Sequence, residues 1–234
     1  MILCYDMELI LTKSYDNKPN LQEIEVKEFP LVIITDTHTN ITNIRKLKEI
    51  YSNNKFICLG DITFLFSKVK EKWNEKSIQY FIDNQIPCLE GNHESHILGC
   101  STGDSFVKVL PKYNEGESVL AESDIYDLTQ QHIDYLKGLP RGFKLILPDE
   151  SNYICFHNRP NDLWSFTEET FTKDEFIKTY PWNNKTKAVL IGHNHRNFVV
   201  EYNNFLIKLI CIGRLSKDGD YALLTENGIE FKKI

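Results

Sequence analysis

Five short polar stretches hold the residues of this chain that could do chemistry: Asp36-Thr37-His38, Asp61, Asn92-His93, His157 and His193-Asn194-His195. They take in five of the seven histidines, and each follows an apolar run: LVIIT, FICLG, IPCLEG, YICF and AVLIG. Taken singly, each has an ordinary explanation. An Asp after a strand commonly caps the next helix, and a His at a strand end is commonly hydrogen-bonded or solvated. Together they place two carboxylates, several neutral imidazoles and one amide oxygen at one edge, with no thiolate. Such a set suits Mn²⁺, Fe or Zn²⁺. It also exceeds what one ion uses, and two ions about 3.5–4 Å apart, sharing one carboxylate, form the arrangement that displaces groups at phosphorus.

The elements around these stretches predict how they would be gathered. LVIITD (31–36) is a continuous apolar run, as expected of a strand covered on both faces, and ITNIRKLKEIY follows with Ile41, Ile44, Leu47 and Ile50 at helical spacing. The unit repeats as strand 55–61, helix 67–84 and strand 86–92. Repeated β-then-α implies a mostly parallel sheet, whose carboxyl ends form the ligand crevice. In LTQQHIDYLKGLP, Thr129 caps a helix that Gly138 ends. Residues 98–128 have weak periodicity and read as a loop with short helical pieces, while the second half is rich in strands: FKLILP, SNYICFH, KAVLIGH, NFVVEY, FLIKLICI and YALLT.

Residues 1–30 alternate apolar with polar on either side of DNKPN and read as an N-terminal β-hairpin extension. The expected fold is α/β, a four-layer α-β-β-α sandwich with two mixed sheets packed face to face and helices outside, in a single domain over 1–234.

In this order, DTH, GD, GNHE, H and GHNH resemble the calcineurin-like metallophosphoesterase family over residues 36–195. The tail CIGRLSKDGDYALL resembles the closing strands of its small bacterial members. LTQQHIDYLKGLP followed by YICFHNRPNDLW is similar to the branch related to bis(5′-nucleosyl) tetraphosphatases and small phosphodiesterases. The resemblance implies that Asp36, His38 and His195 bind a first metal, that Asp61 bridges, and that Asn92, His157 and His193 bind a second. It implies that His93 faces the substrate and protonates or stabilises the leaving oxygen. The ions expected are two per chain, Mn²⁺ first, with Fe, Zn²⁺ and Ni²⁺ as alternatives. Two such ions, two carboxylates and a bridging hydroxide leave a formal charge of about +1, suited to an anionic phosphate attacked in line by that hydroxide. Gly91 would allow a tight turn beside Asn92.

The expected activity is therefore hydrolysis of a small-molecule or nucleotide phosphoester or phosphoanhydride. Alternatives are a phosphomonoesterase like the serine/threonine protein phosphatases, or an inactive binding scaffold on the same fold. In the protein-phosphatase branch a second Asp follows GD and supports the catalytic histidine; Phe64 stands at that place here. Because GNHE reads as extended chain, Glu94 would point away from His93 and is not assigned as its partner. Asn158 stands where Gly is usual and would narrow the pocket, and Asn194 stands where Thr is frequent. Arg159, Arg196 and Asn40 flank the motifs as substrate-binding candidates, and Trp164 and Phe166 could line a base-binding wall. His96 and His132 read as surface or helix residues.

Composition sets the outer bounds. With 41% hydrophobic and 26% charged residues the chain has what a globular core needs, and a formal charge of −6 disfavours a stable nucleic-acid complex. No apolar stretch approaches the length of a membrane helix, and Asp6 and Glu8 stand where a secretory signal wants positive charge. The six cysteines form no CxxC pair and read as reduced core thiols, so a cytoplasmic location is expected. The oligomeric state is not legible from these features.

Overall fold

The computed structural model describes residues 9–11, 21–64, 72–101, 128–160, 163, 167, 171–202 and 207–234. A seven-stranded sheet contains β1 (Leu9–Leu11), β2 (Leu21–Glu25), β5 (Gly142–Ile146), β6 (Asn152–Phe156), β7 (Thr186–Ile191), β8 (Phe198–Glu201) and β9 (Lys208–Cys211), in the order β1-β2-β5-β6-β7-β9-β8. A four-stranded sheet contains β3 (Leu31–Ile34), β4 (Phe56–Cys58), β10 (Asp220–Thr225) and β11 (Gly228–Lys233), in the order β11-β10-β3-β4. Both are mixed. β3 and β4 run parallel and β10 antiparallel to β3, while β6, β7 and β9 run parallel beside the antiparallel pairs β5/β6 and β8/β9.

The unbroken apolar runs are explained by what covers each face. In β3, Leu31 and Ile33 enter the core between the sheets, and Val32 and Ile34 enter the core under the helices. β7 does the same, with Ala188 and Leu190 facing the other sheet and Val189 and Ile191 facing outward beneath a helix. A strand buried on both sides has no polar side to alternate with. Helices α1 (Ile41–Ile50), α2 (Trp73–Asp83) and α4 (Gln130–Lys137) cover the small sheet through Ile44, Leu47, Ile78, Phe81 and Leu136. Helix α5 (Lys173–Thr179) covers the large sheet through Phe176. The result is the four-layer α-β-β-α sandwich.

Several boundaries follow local chemistry. Thr129 caps α4 with its side-chain oxygen, the His132 ring reaches back to the cap's N–H, and Gly138 ends the helix. His132 is thus buried, and its second ring nitrogen lies 3.0 Å from Gln79 on α2. His96 is also buried rather than at the surface.

The strand expected at 86–92 is reduced to one parallel bridge, Cys58 with Cys88, and the chain turns at once into α3 (Asn92–Ser101). The segment at the N-terminus pairs β1 with β2 antiparallel, and β2 continues by pairing parallel with β5. The DNKPN turn, most of the loop expected at 98–128, and Trp164 and Phe166 lie outside the described residues. Cys58, Cys88, Cys155 and Cys211 are buried free thiols. No helix among the described residues is long and apolar enough to cross a membrane.

Candidate active site

Asp36 and His38 leave the end of β3, and Asp61 follows β4. From the other sheet, His157 follows β6, and His193 and His195 follow β7. The turns that carry them are held to one another within each sheet and, through the His193 N–H, across the gap. His38 N–H donates to the Asp61 carbonyl at 3.0 Å, Gly192 N–H to the His157 carbonyl at 2.9 Å, and His193 N–H to Oδ2 of Asp36 at 2.9 Å. Five of these residues have left-handed backbones: Asp36 (φ 51°), His38 (40°), Asp61 (54°), His193 (62°) and His195 (59°). For side chains other than Gly that conformation costs on the order of 1–3 kcal/mol each and is held only by surrounding structure.

The donor atoms fall into three groups, each within 4.8 Å: Asp36, His38 and His195; His38, Asp61 and His93; Asp61, His157 and His193. Oδ2 of Asp36 is occupied by Thr35 Oγ1 (2.7 Å) and His193 N–H, whereas the buried Oδ1 accepts no aligned hydrogen bond. Facing Oδ1 are Nε2 of His195 at 3.1 Å and Nε2 of His38 at 3.7 Å. The Nδ1 atom of His38 lies 3.2 Å from the Thr63 carbonyl, which can only accept, so in the neutral ring the Nε2 lone pair is turned to the same spot.

The second position is built alike. Nδ1 of His157 donates to the Leu59 carbonyl at 2.9 Å, turning Nε2 toward Oδ1 of Asn92 (3.0 Å) and Oδ2 of Asp61 (3.3 Å). Nδ1 of His193 is 2.8 Å from the same Asn92 oxygen. Carboxylate and amide oxygens with imidazole nitrogens, converging in two places with Asp61 between them, are donor sets that fit divalent cations. The residues singled out from sequence as ligands are all gathered here.

The electrostatics match this crowding. Burial opposes ionisation of Asp36, but the His195 imidazole 3.1 Å from Oδ1 and the other nearby imidazoles outweigh it and hold the carboxyl at about 2. Asp61 is likewise held well below the usual carboxylate range, mainly by His157 and His93 acting against burial. Burial also works against a charged His157, yet Asp61 and Asp36 raise it to about 10. Burial lowers His93 and His193 to about 4.

His93 stands at the rim of the group, its side chain 12% exposed. Its N–H donates to Oδ1 of Asp61 at 3.0 Å, and its Nε2 is 3.8 Å from Oδ2. The ring packs against His38 (centroids 4.7 Å apart) and stacks on Phe64 (5.7 Å, 13°).

Glu94 needs a correction. GNHE is the first turn of α3 rather than extended chain, so Glu94 points inward and is fully buried. Its carboxylate accepts from the N–H groups of Asp61 (2.9 Å), Thr63 (2.8 Å) and Gly91 (2.9 Å) and from Thr63 Oγ1 (2.7 Å). A helical reading would have exposed this, since Gly-x-x-Glu is a capping box without its hydroxyl. Gly91 also has a different reason from the one expected. Its φ is not positive, but a Cβ there would overlap Oδ1 and the backbone nitrogen of Asp61.

Among the flanking candidates, Asn40 caps α1: its oxygen accepts from Asn43 N–H and its amide donates to the Ser216 carbonyl at 2.6 Å. Arg159 lies over Phe171 with Nε 3.5 Å from Thr167 Oγ1, and the exposed Arg196 lies over Phe198. Asn158 is buried and accepts from Thr167 Oγ1 at 2.9 Å, while Asn194 donates to the Thr167 carbonyl. The side chain of Asn158 is thus turned to Thr167, and the two departures from the expected motif meet at one residue. Arg214, which sequence reasoning passed over, places Nη1 3.2 Å from Nδ1 of His195 and pairs with Asp218 at 2.6 Å.

The family model for calcineurin-like phosphoesterases matches residues 29–205. Among solved structures, a metallophosphoesterase from Sphaerobacter thermophilus superposes with a TM-score of 0.64 at 16% identity, over 88% of this chain and 87% of that one. A hypothetical protein from Pyrococcus horikoshii OT3 gives 0.63 at 13% identity over the same shares. A protein provisionally named a diadenosine tetraphosphatase gives 0.52 at 17% identity, over 90% of this chain and 97% of that one. At such identities the likeness is one of fold. No curated protein matches the chain in sequence.

Proposed function

We propose, from the premise that this chain belongs to the calcineurin-like phosphoesterase family and is a metal-dependent phosphoester hydrolase, that it cleaves a small phosphorylated molecule or nucleotide at a dinuclear centre. Asp36, His38 and His195 would hold one cation and Asn92, His157 and His193 the other, with Asp61 available to both. The observation that carries this reading is the overlap of the three donor groups through His38 and Asp61. Bound divalent cations would neutralise phosphate oxygens and bring the pKa of a water near 7. Mn²⁺ is the ion we expect from a nitrogen and oxygen donor set without thiolate, with Fe, Zn²⁺ or Ni²⁺ as the alternatives.

The residues divide the remaining work. The Leu59 and Thr63 carbonyls fix the rings of His157 and His38, and Glu94 fixes the backbone under Asp61. Burial leaves the free imidazole of His93 uncharged at neutral pH; an anionic phosphate beside it would favour its protonated form, which hands a proton to the oxygen that leaves phosphorus, on the side opposite the attacking oxygen. Arg159 and Arg196 are placed just beyond two ligand segments and would meet outer phosphate oxygens. Nucleotide pyrophosphates are the first class to try, because the segments around 128–164 resemble the tetraphosphatase branch. Phe64, at the place of the second Asp, counts against a protein-phosphatase-like reaction, and the presence of His93 with the whole donor set counts against an inactive scaffold. The four buried free thiols suit a reducing compartment and a cytoplasmic enzyme.

The test is a panel of phosphomonoesters, phosphodiesters and nucleotide pyrophosphates assayed with Mn²⁺, together with elemental analysis. Uptake of two ions per chain is expected, and His93→Ala should lower kcat by roughly 10²–10⁴-fold while keeping those ions. A chain that takes up no divalent ion and hydrolyses nothing on the panel would remove the proposal.

A further inference from the structure

We infer that Phe64 is a positioning residue for His93: its ring, stacked on the imidazole, sets the direction in which that imidazole delivers its proton. The inference rests on the role given to His93 above. Its own observations are separate. The two rings lie 13° from parallel with centroids 5.7 Å apart, within the range that aromatic pairs favour, and the His38 ring meets Phe64 edge-on at 5.4 Å. Phe64 therefore sits against the rings of a proposed acid and a proposed ligand at once.

A stacking partner can orient a ring only if it is itself immobile, and Phe64 is anchored through its backbone. Asn74, buried on α2, accepts from Phe64 N–H at 2.8 Å and donates to the Phe64 carbonyl at 3.1 Å. Ser77, one turn further along α2, donates to the Ile62 carbonyl at 2.8 Å. From the opposite side, Glu94 of α3 holds Thr63 by both its N–H and its hydroxyl. Segment 61–64 is thus gripped by two helices, and α3 is also the helix that carries His93. Ring and imidazole are tied to one rigid frame. An orienting group built this way differs from a carboxylate, because it constrains the plane of the imidazole without adding charge beside the carboxylates of Asp36, Asp61 and Glu94 already buried there.

The consequence is selective. Proton delivery matters most when the departing oxygen is a poor leaving group and least when it is a nitrophenolate, which leaves without help. The experiment uses full-length protein loaded with Mn²⁺ and phosphoesters graded from a 4-nitrophenyl to an alkyl leaving group, with metal content measured on every variant. Phe64→Leu, which keeps apolar volume but not the ring, is expected to lower kcat about tenfold or more on the alkyl ester and less than about threefold on the nitrophenyl ester. Phe64→Tyr should restore the parent pattern, and all variants should keep the parent's metal content.

Equal losses on both esters, no loss on either, or depleted metal in Phe64→Leu overturns the inference while leaving the hydrolase reading intact, provided His93→Ala shows the steep leaving-group dependence. If the parent is inactive on the whole series, or His93→Ala shows no such dependence, the reading of His93 fails and the role of Phe64 falls with it.

Discussion

The carboxylate of Glu94 does for four donors what bulk water would do outside the protein. It takes the N–H groups of Asp61, Thr63 and Gly91 and the hydroxyl of Thr63, none of which has access to solvent around that side chain. Each buried donor left without an acceptor costs about 1–3 kcal/mol. Glu94→Ala is therefore expected to lower the unfolding free energy by roughly 3 kcal/mol or more, measured by urea denaturation, and to weaken ion uptake because the Asp61 backbone is no longer held. An alanine variant as stable as the parent would mean that the carboxylate is not the clamp described. Burial, together with repulsion from Asp61, pushes Glu94 up to about 7, so these donors are also what keeps a negative charge tolerable there. Sequence alone turns this residue away because alternation of side chains applies to a strand, whereas at this point the chain is already a helix.

At the scale of elements, legibility tracked burial. Strands covered on both faces announce themselves as unbroken apolar runs, and LVII, YICF and AVLI sit where they were expected because the core beneath each face demands it. Helix α4 was legible for another reason, since its cap and its terminating glycine are local signals that owe nothing to the rest of the fold. The failure at 86–92 is instructive in the same terms. IPCLE is apolar because it is buried at Ile86, Cys88 and Leu89, but α3 must begin at once to bring Asn92 and Glu94 inward, so only one bridge of strand remains. The gathering of the candidate ligand residues was readable from strand ends; the contacts behind them were not. Glu94, Arg214 and the Asn158–Thr167–Asn194 contacts depend on which segments meet in space. The junction between strand and helix also yields a prediction. Gly91→Ala would press a methyl group against Asp61, so it should cost roughly 1–3 kcal/mol by denaturant titration and lower the number of ions bound. Full ion occupancy in that variant would show that the close approach is unimportant.

Across the whole molecule, the site is made by neither sheet alone. Asp36, His38 and Asp61 come from the end of the small sheet, and His157, His193 and His195 from the end of the large one. The charge at their meeting point is balanced by His157, whose proton is held up to about pH 10 by Asp61 and Asp36 in spite of burial. A cation competing for the same Nε2 must expel that proton. Ion uptake near pH 7 should therefore release about one proton per chain, and apparent affinity should rise with pH toward about 10 and fall on acidification. Calorimetry in buffers of differing ionisation heat reads this directly; uptake without proton release would mean that His157 is not a ligand. The left-handed turns at Asp36, His38, Asp61, His193 and His195 carry a last implication. At such positions the residue that relaxes the backbone is glycine, and glycine offers no donor atom. Replacing any of the five by glycine would ease the backbone and remove a donor group in the same stroke, so sturdiness and donor supply pull in opposite directions at this centre.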